Sequence, residues 1–185
     1  MEDEPLNILA VDDDRTTLTI IEKMLASQGM KVEPVTSGKA ALESVRKQLP
    51  DVILLDVMMP EMDGFEVCKR LKGSEWTRLI PVIIITALRE KEDRIKGFEA
   101  GCDDFISKPI DRVELIARVR ALGKVKRLND DLDHAEAVVL SLARAVEAKD
   151  ETTGDHCDRL IRLTDEFGKF LGLDERELKI LMRAS

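Results

Sequence analysis

Polar side chains with phosphate-handling chemistry recur at the ends of apolar runs. Ile8–Val11 runs into Asp12, Asp13 and Asp14, and Val52–Leu55 runs into Asp56. PVIIIT ends on Thr86, and DDFIS leads into Lys108 and Pro109. A buried strand gains nothing from ending on a charge, so the acids need another reason to be there. Carboxylates crowded into one crevice repel one another unless a cation compensates them. Hard oxygen ligands with room for water favour Mg²⁺, which takes one or two carboxylates and keeps several waters. Beside such an ion an aspartate can act as a nucleophile toward phosphorus and form an acyl phosphate. A lysine then serves as a point charge for phosphoryl oxygens, and a threonine hydroxyl donates to another of them.

Those residues meet only if the runs are strands whose ends share one edge. Five apolar runs (Ile8–Val11, Val32–Val35, Val52–Leu55, Val82–Ile85, Asp104–Ile106) alternate with amphipathic stretches such as TTLTIIEKMLASQG and GKAALESVRKQLP, with breaks at Gly29, Pro50 and Gly101. Continuous apolar runs, not period-2 alternation, are what strands covered on both faces look like. The pattern predicts a doubly wound α/β fold with a five-stranded parallel sheet. In an open parallel sheet ligands bind outside the carboxyl ends of the strands, where the strand order reverses. Asp14, next to the first helix, is expected to cap it. Trp76, in KGSEWTRLIP, is expected to be a loop residue packed against the domain, and Met58 and Met59 read as loop and core packing.

Composition narrows the rest. The chain has 185 residues, 44% hydrophobic but only 3% aromatic with no tyrosine, so Ile, Leu, Val, Met and Ala must build the core. The net charge is −8, and residues 1–110 hold 15 Lys/Arg against 21 Asp/Glu, a balance of −6. That gives no basic footprint for nucleic acid and concentrates acidity where a cation site is expected. Cys68, Cys102 and Cys157 show no CxxC spacing and read as free thiols in a reducing compartment. The start MEDEPLN is acidic, and no apolar run approaches the ~20 residues of a membrane span, so a cytoplasmic protein is expected.

From Arg112 to Asp150 the chain has no proline and a single glycine, Gly123. Leu128, Leu132, Ala135, Val139, Leu142 and Val146 follow alternating steps of four and three, a heptad seam. Leu115, Val119 and Leu122 obey the same rule one residue out of register, which shifts the seam near Val125. The pattern predicts one long helix that begins in the α/β domain and continues as a dimerising coiled coil; an amphipathic helix folded back on its own domain is the alternative. His134 is expected to face solvent. The tail after Lys149 carries two amphipathic stretches broken near Gly168–Gly172, with too small an apolar stripe to close a core alone.

VDDDRTTL, LLDVMMPEMDGFEV, IIITA and DDFISKP together resemble the receiver domain of two-component response regulators over roughly residues 5–122. The resemblance implies a flavodoxin-like sheet of order 2-1-3-4-5 and phosphoryl acceptance on Asp56 from a sensor histidine kinase. It makes Asp12 and Asp13 the acidic pair for Mg²⁺, with Asp56 and the Met58 backbone carbonyl as further ligands. Thr86 and Lys108 take the switch hydroxyl and lysine positions, and Lys108–Pro109 matches a bond that is cis in the family. Phe105 stands at the rotating aromatic position, where tyrosine is commoner, so a switch relying on a phenolic hydroxyl is ruled out.

Residues 142–185, through AVEAKD, TGDH and LGL, resemble the start of the HD-GYP domain, a metal-dependent cyclic di-GMP phosphodiesterase. The resemblance implies three parts: a receiver over 1–122, a coiled-coil linker over 123–148, and incomplete output helices over 149–185. His156 matches a family histidine near the output site; an exposed or capping histidine is the alternative. The family's His-Asp doublet and GYP motif are absent, and two histidines cannot supply the metal ligands. The 185 residues are therefore not expected to be a competent phosphodiesterase, and divalent or iron metals belong to the missing part of that domain. Homodimerisation through residues 115–148 is expected, with neither nucleic acid nor membrane as partner. An adaptor acting only by protein contact is the competing function, and an HD doublet beyond Ser185 would decide against it.

Overall fold

The structure is a computed structural model that describes residues 4–87 and 91–147, with 162, 165, 166 and 169; of 91–94 and 143–147 only the backbone is described. The chain divides into two units, Met1–Asp130 and Asp131–Ser185.

In the first unit strands and helices alternate without exception. They are β1 (Asn7–Val11), α1 (Arg15–Ala26), β2 (Lys31–Val35), α2 (Gly38–Lys47), β3 (Val52–Asp56), α3 (Gly64–Lys72), β4 (Val82–Thr86), α4 (Lys91–Glu99) and β5 (Asp104–Ser107). A last helix, α5, runs from Arg112 to Glu147. The five strands form one parallel sheet in the order β2-β1-β3-β4-β5. The doubly wound architecture and its strand order are those expected.

Alternate side chains of each strand feed two cores. Leu9, Val11, Ile53, Leu55 and Ile84 pack with α2 and α3, whereas Ile8, Ala10, Leu54, Ile83 and Ile85 pack with α1 and α5. This explains why the central runs carry no polar alternation: every residue of β3 and β4 is buried. Strand β2 departs from the expectation of strands covered on both faces. It lies at the sheet edge, its residues are half-buried or exposed, and it carries Pro34, which an edge strand accommodates.

The helices start where the chain supplies acceptors for free N–H groups. Asp14 accepts from the backbone N–H of Thr16 and Thr17 at 2.9 and 3.2 Å, Ser37 caps α2 and Asp63 caps α3. Gly29 and Gly101 take φ of +77° and +88° where α1 and α4 give way to strands, which is why breaks fall there. Trp76 does lie in the loop after α3, but it is 83% exposed instead of packed against the domain. With Leu49 and Arg70 it lines an open cavity of about 560 Å³ between the ends of α2 and α3.

Helix α5 has no break at residue 122 or 123. Leu115 and Val119 are fully buried against the sheet, and a Cβ on Gly123 would meet the Leu6 side chain at 2.9 Å. Arg127 forks onto Asp51, Nε to Oδ1 at 3.2 Å and Nη2 to Oδ2 at 3.1 Å, and donates to the carbonyls of Glu4 and Pro5. The short helix of the first register thus belongs to the domain core. In the second unit, Leu132, Val139 and Leu142 are exposed, as is His134. The side chain of Val146 lies outside the described residues, as do His156, Cys157 and nearly all of 149–185. Among the described residues no helix is long and apolar enough to cross a membrane.

Candidate functional site

The carboxyl ends of β1, β3 and β5 place their polar residues in one pocket. Backbone pairing aligns Val11 with Leu55, so Asp12 and Asp56 come next on neighbouring strands. Both are nearly completely buried, at 2% and 4% exposure, while Asp13 is exposed at the mouth. One carboxylate oxygen from each of the three lies within 4.8 Å of the others.

Lys108 closes the pocket from β5. Its Nζ lies 2.8 Å from Asp56 Oδ1 and 2.9 Å from Asp12 Oδ2. The Lys108 N–H donates to the Thr86 carbonyl at 2.9 Å, which ties the lysine's backbone to the end of β4. The Lys108–Pro109 peptide is cis. Thr86 is buried at the last position of β4, one strand over from Asp56.

The remaining oxygens are also engaged. Asp56 Oδ2 accepts the Met58 N–H at 2.9 Å, and Asp12 Oδ1 accepts the Asp14 N–H at 2.9 Å. Each carboxylate is thereby aimed by the loop after it. Gly64 lets the β3–α3 loop close over the strand end, because a Cβ there would lie 2.3 Å from the Asp56 carbonyl oxygen. In the same loop Glu61 takes φ of 66°, a conformation that non-glycine residues rarely adopt.

Burial pushes the Asp56 carboxyl above its ordinary value, because desolvation outweighs the hydrogen bond and charge of Lys108. Burial draws the Lys108 ammonium down, yet its hydrogen bonds to Asp56 and Asp12 prevail and leave it raised. Two buried carboxylates share one ammonium, so the pocket is net negative even before Asp13 is counted. The donor set is all oxygen and hard. Ligands of an octahedral Mg²⁺ lie roughly 3–4 Å from one another, a spacing that three oxygens within 4.8 Å accommodate.

Of the residues singled out in the sequence, Asp12, Asp13, Asp56 and Lys108 meet directly, with Thr86 on the neighbouring strand end. Phe105 does not line the pocket. It is 6% exposed, lies in the core with α3, and stacks edge-on against Phe98 with ring centroids 5.0 Å apart. Met58 is 65% exposed and Met59 is buried, as loop and core residues should be. Gly97 escaped the sequence reading: a Cβ there would meet Phe105 Cζ at 2.3 Å. Only the missing side chain signals it, and glycine in a helix interior is unfavourable enough to be noticed.

Residues 8–120 match the family model of the response regulator receiver domain. The response regulator PleD of Caulobacter vibrioides is 48% identical over 130 residues, covering 70% of this chain and 29% of that protein. The response regulator MprA of Mycobacterium sp. (strain KMS) is 34% identical over 181 residues, 97% of this chain and 76% of that one. Among solved structures, the receiver domain of the sensor histidine kinase PA1611 from Pseudomonas aeruginosa carries a magnesium ion coordinated in its active site cleft. It is 33% identical, with a TM-score of 0.61 over 65% of this chain and 98% of that one. The receiver domain of the Francisella response regulator 1452 is 35% identical, with a TM-score of 0.61 over 64% and 97%. With the matched residues reaching all five strands and every residue of the acidic pocket, the chain belongs to the response regulator receiver domain family of two-component signalling.

Proposed function

We propose that the chain accepts a phosphoryl group on Asp56 from a sensor histidine kinase. The observation that carries this is the Asp56 carboxylate, buried in a net negative pocket and held 2.8 Å from the Lys108 ammonium. An Asp56 oxygen attacks phosphorus of the kinase phosphohistidine, the P–O bond forms as the P–N bond breaks, and that bond's electron pair returns to the ring nitrogen, so the histidine leaves as neutral imidazole with the proton already on its other nitrogen. Asp12, Asp13, Asp56 and the Met58 carbonyl would hold Mg²⁺. That ion supplies charge neutralisation for the phosphoryl oxygens. Lys108 would pair with one of those oxygens, and the Thr86 hydroxyl would donate to another. Pulling Thr86 toward the phosphate opens room behind it for Phe105, and the face formed by α4, β5 and the start of α5 repacks.

The signal then passes along α5 to a cyclic di-GMP phosphodiesterase output domain, with a second copy of the chain as partner. Support for that output is the AVEAKD, TGDH and LGL pattern of residues 145–173, in which His156 is the candidate output-site residue. The division into receiver (1–122), linker (123–148) and output helices (149–185) belongs to the same proposal, as does a cytoplasmic location. The chain spans 29% of PleD and 76% of the mycobacterial MprA.

Incubating the protein with Mg²⁺ and acetyl phosphate, then resolving phosphorylated from free protein by intact mass, tests the acceptor. Asp56→Asn should take up nothing under conditions that load the wild type. Equal loading of both would overturn the assignment.

A further inference from the structure

The end of the first unit opposite the acidic pocket carries the reverse charge. Helices α2 and α3 run back along the sheet, so their last turns lie at the amino ends of β3 and β4, a strand's length from Asp56 and Thr86. The cavity there is lined by buried Val45 and Leu71, half-buried Leu42, and the cations Arg46, Lys47 and Arg70. No acid is among the described residues that line it, although residues 1–110 carry a balance of −6. Arg46 and Lys47 have no ion-pair partner among the described residues. Arg70 pairs with Glu66 at 2.8 Å, but both side chains are about half exposed, and such a pair yields readily to another carboxylate.

Trp76 and Leu49 complete the lining, 83% and 47% exposed. A lone exposed leucine needs no explanation. An exposed indole beside an apolar floor and ringed by cations has the make-up of a contact centre, where tryptophan and arginine carry most of the binding energy. The helix ends choose between kinds of anion. The last carbonyls of α2 and α3 open toward this end and give it partial negative charge, which the basic residues of both last turns offset. A compact phosphate would have to sit against those carbonyls. A peptide need not: its acids spread around the rim, its N–H groups can meet the carbonyls, and one apolar side chain fills the centre.

We propose that the cavity between the ends of α2 and α3 is a docking site for an acidic segment of another protein. An apolar side chain of that segment packs against Trp76 and Leu49, and its carboxylates pair with Arg46, Lys47 and Arg70. Charge complementarity names the occupant: on a molecule of net charge −8, this cavity is lined by cations alone among its charged residues. At contact the rim cations dominate, because acids more than a Debye length away are screened. The site goes beyond phosphoryl acceptance and is independent of it, since no lining residue belongs to the acidic pocket.

Trp76 is the chain's one tryptophan and there is no tyrosine, so tryptophan emission of the full 185-residue protein reports this cavity alone. The probes are a synthetic amphipathic peptide of leucine and glutamate, its leucine–lysine counterpart, and ATP as a phosphate-bearing aromatic. The leucine–glutamate peptide should shift the emission to the blue, saturably, while the lysine peptide and ATP leave it unchanged. Affinity for a dye-labelled leucine–glutamate peptide is then read by anisotropy. Reversing the rim with Arg46→Glu and Lys47→Glu together should weaken it about tenfold or more, and Trp76→Ala by a similar factor. All three side chains are exposed, so the melting of these variants should stay that of the wild type. No emission shift with any probe, or an affinity indifferent to these substitutions, would overturn the site. An equal shift with the lysine peptide, or a saturable one with ATP, would overturn the acidic segment as its occupant.

Discussion

The Lys108 ammonium stands 2.8 Å from Asp56 and, from the same nitrogen, 2.9 Å from Asp12. One cation therefore holds two buried carboxylates that would otherwise repel, and it lies where phosphoryl oxygens would arrive. Replacing Lys108 by Ala removes both services. Removing one preorganised stabilising group of this kind costs about 100-fold in rate. Loading of Lys108→Ala from acetyl phosphate with Mg²⁺ should slow by that order, while its circular dichroism stays that of the wild type. Loading at the wild-type rate would remove Lys108 from the reaction.

Burial raises the Asp56 carboxyl above its usual 3.8, so the ionised form is the less comfortable one in the fold. The sign comes from linkage. A raised folded value contributes stability that is complete below the unfolded value and is lost as pH climbs through the folded one. Asparagine never ionises and escapes that loss, and Lys108 keeps Asp12 as partner. In metal-free buffer Asp56→Asn should melt higher than the wild type at pH 7, and the gap should close as pH falls toward 4. A variant that melts lower at pH 7 would mean that the Lys108 contact outweighs desolvation.

The sheet and the pocket were legible because a strand buried on both faces has no cause to end on an acid. Once Ile8–Val11, Val52–Leu55 and PVIIIT are strands, Asp12, Asp56 and Thr86 must share an edge, and Lys108 is carried onto it by β5. What stayed hidden depends on contacts between residues far apart in sequence. The Arg127–Asp51 fork spans 76 residues and leaves no periodic trace. The change of register near Val125 was visible as pattern, but not its meaning: one register serves the domain core and the next faces out. The edge position of β2 was written in Pro34, whose missing N–H a central strand could not tolerate. Trp76 misled because large aromatics are usually packed, and nothing local announces that one is not.

Cys68 and Cys102 lie in the core beside α3 and β5, and burial pushes their thiols from 9.0 to about 11 and about 12. The thiolate is the reactive species, so both should resist alkylation. In a Cys157→Ser background, iodoacetamide at pH 8.5 should leave native protein unmodified and label both sites once the chain is unfolded in guanidinium. By linkage, the stability held in the two neutral thiols is present below pH 9 and drains away as pH rises toward 11–12. Rapid native labelling, read by intact mass, would show that the core around α3 opens readily.

Gly97 makes room for Phe105. A Cβ there would sit 2.3 Å from Phe105 Cζ and 2.8 Å from its Cε1, closer than real contacts allow, and a tight 3.2 Å from Cε1 of Phe65. In an ordinary helix interior Gly→Ala is worth up to ~1 kcal/mol in favour of alanine. Overpacking a filled site costs about 1–3 kcal/mol, and here the ring cannot recede without leaving its core position. Gly97→Ala should therefore destabilise the protein in urea, against helix propensity. Truncating the ring removes the main obstacle and leaves only the tight approach to Phe65, so the same substitution in a Phe105→Ala background should become stabilising. That reversal of sign, read as a double-mutant cycle, isolates the contact from any general effect on α4. If the cost of Gly97→Ala is the same with and without the ring, Phe105 is not what the glycine accommodates. If the sign reverses, the inward position of Phe105 depends on one absent methyl group. Phosphoryl uptake by Gly97→Ala then reports whether that inward position holds back loading of Asp56.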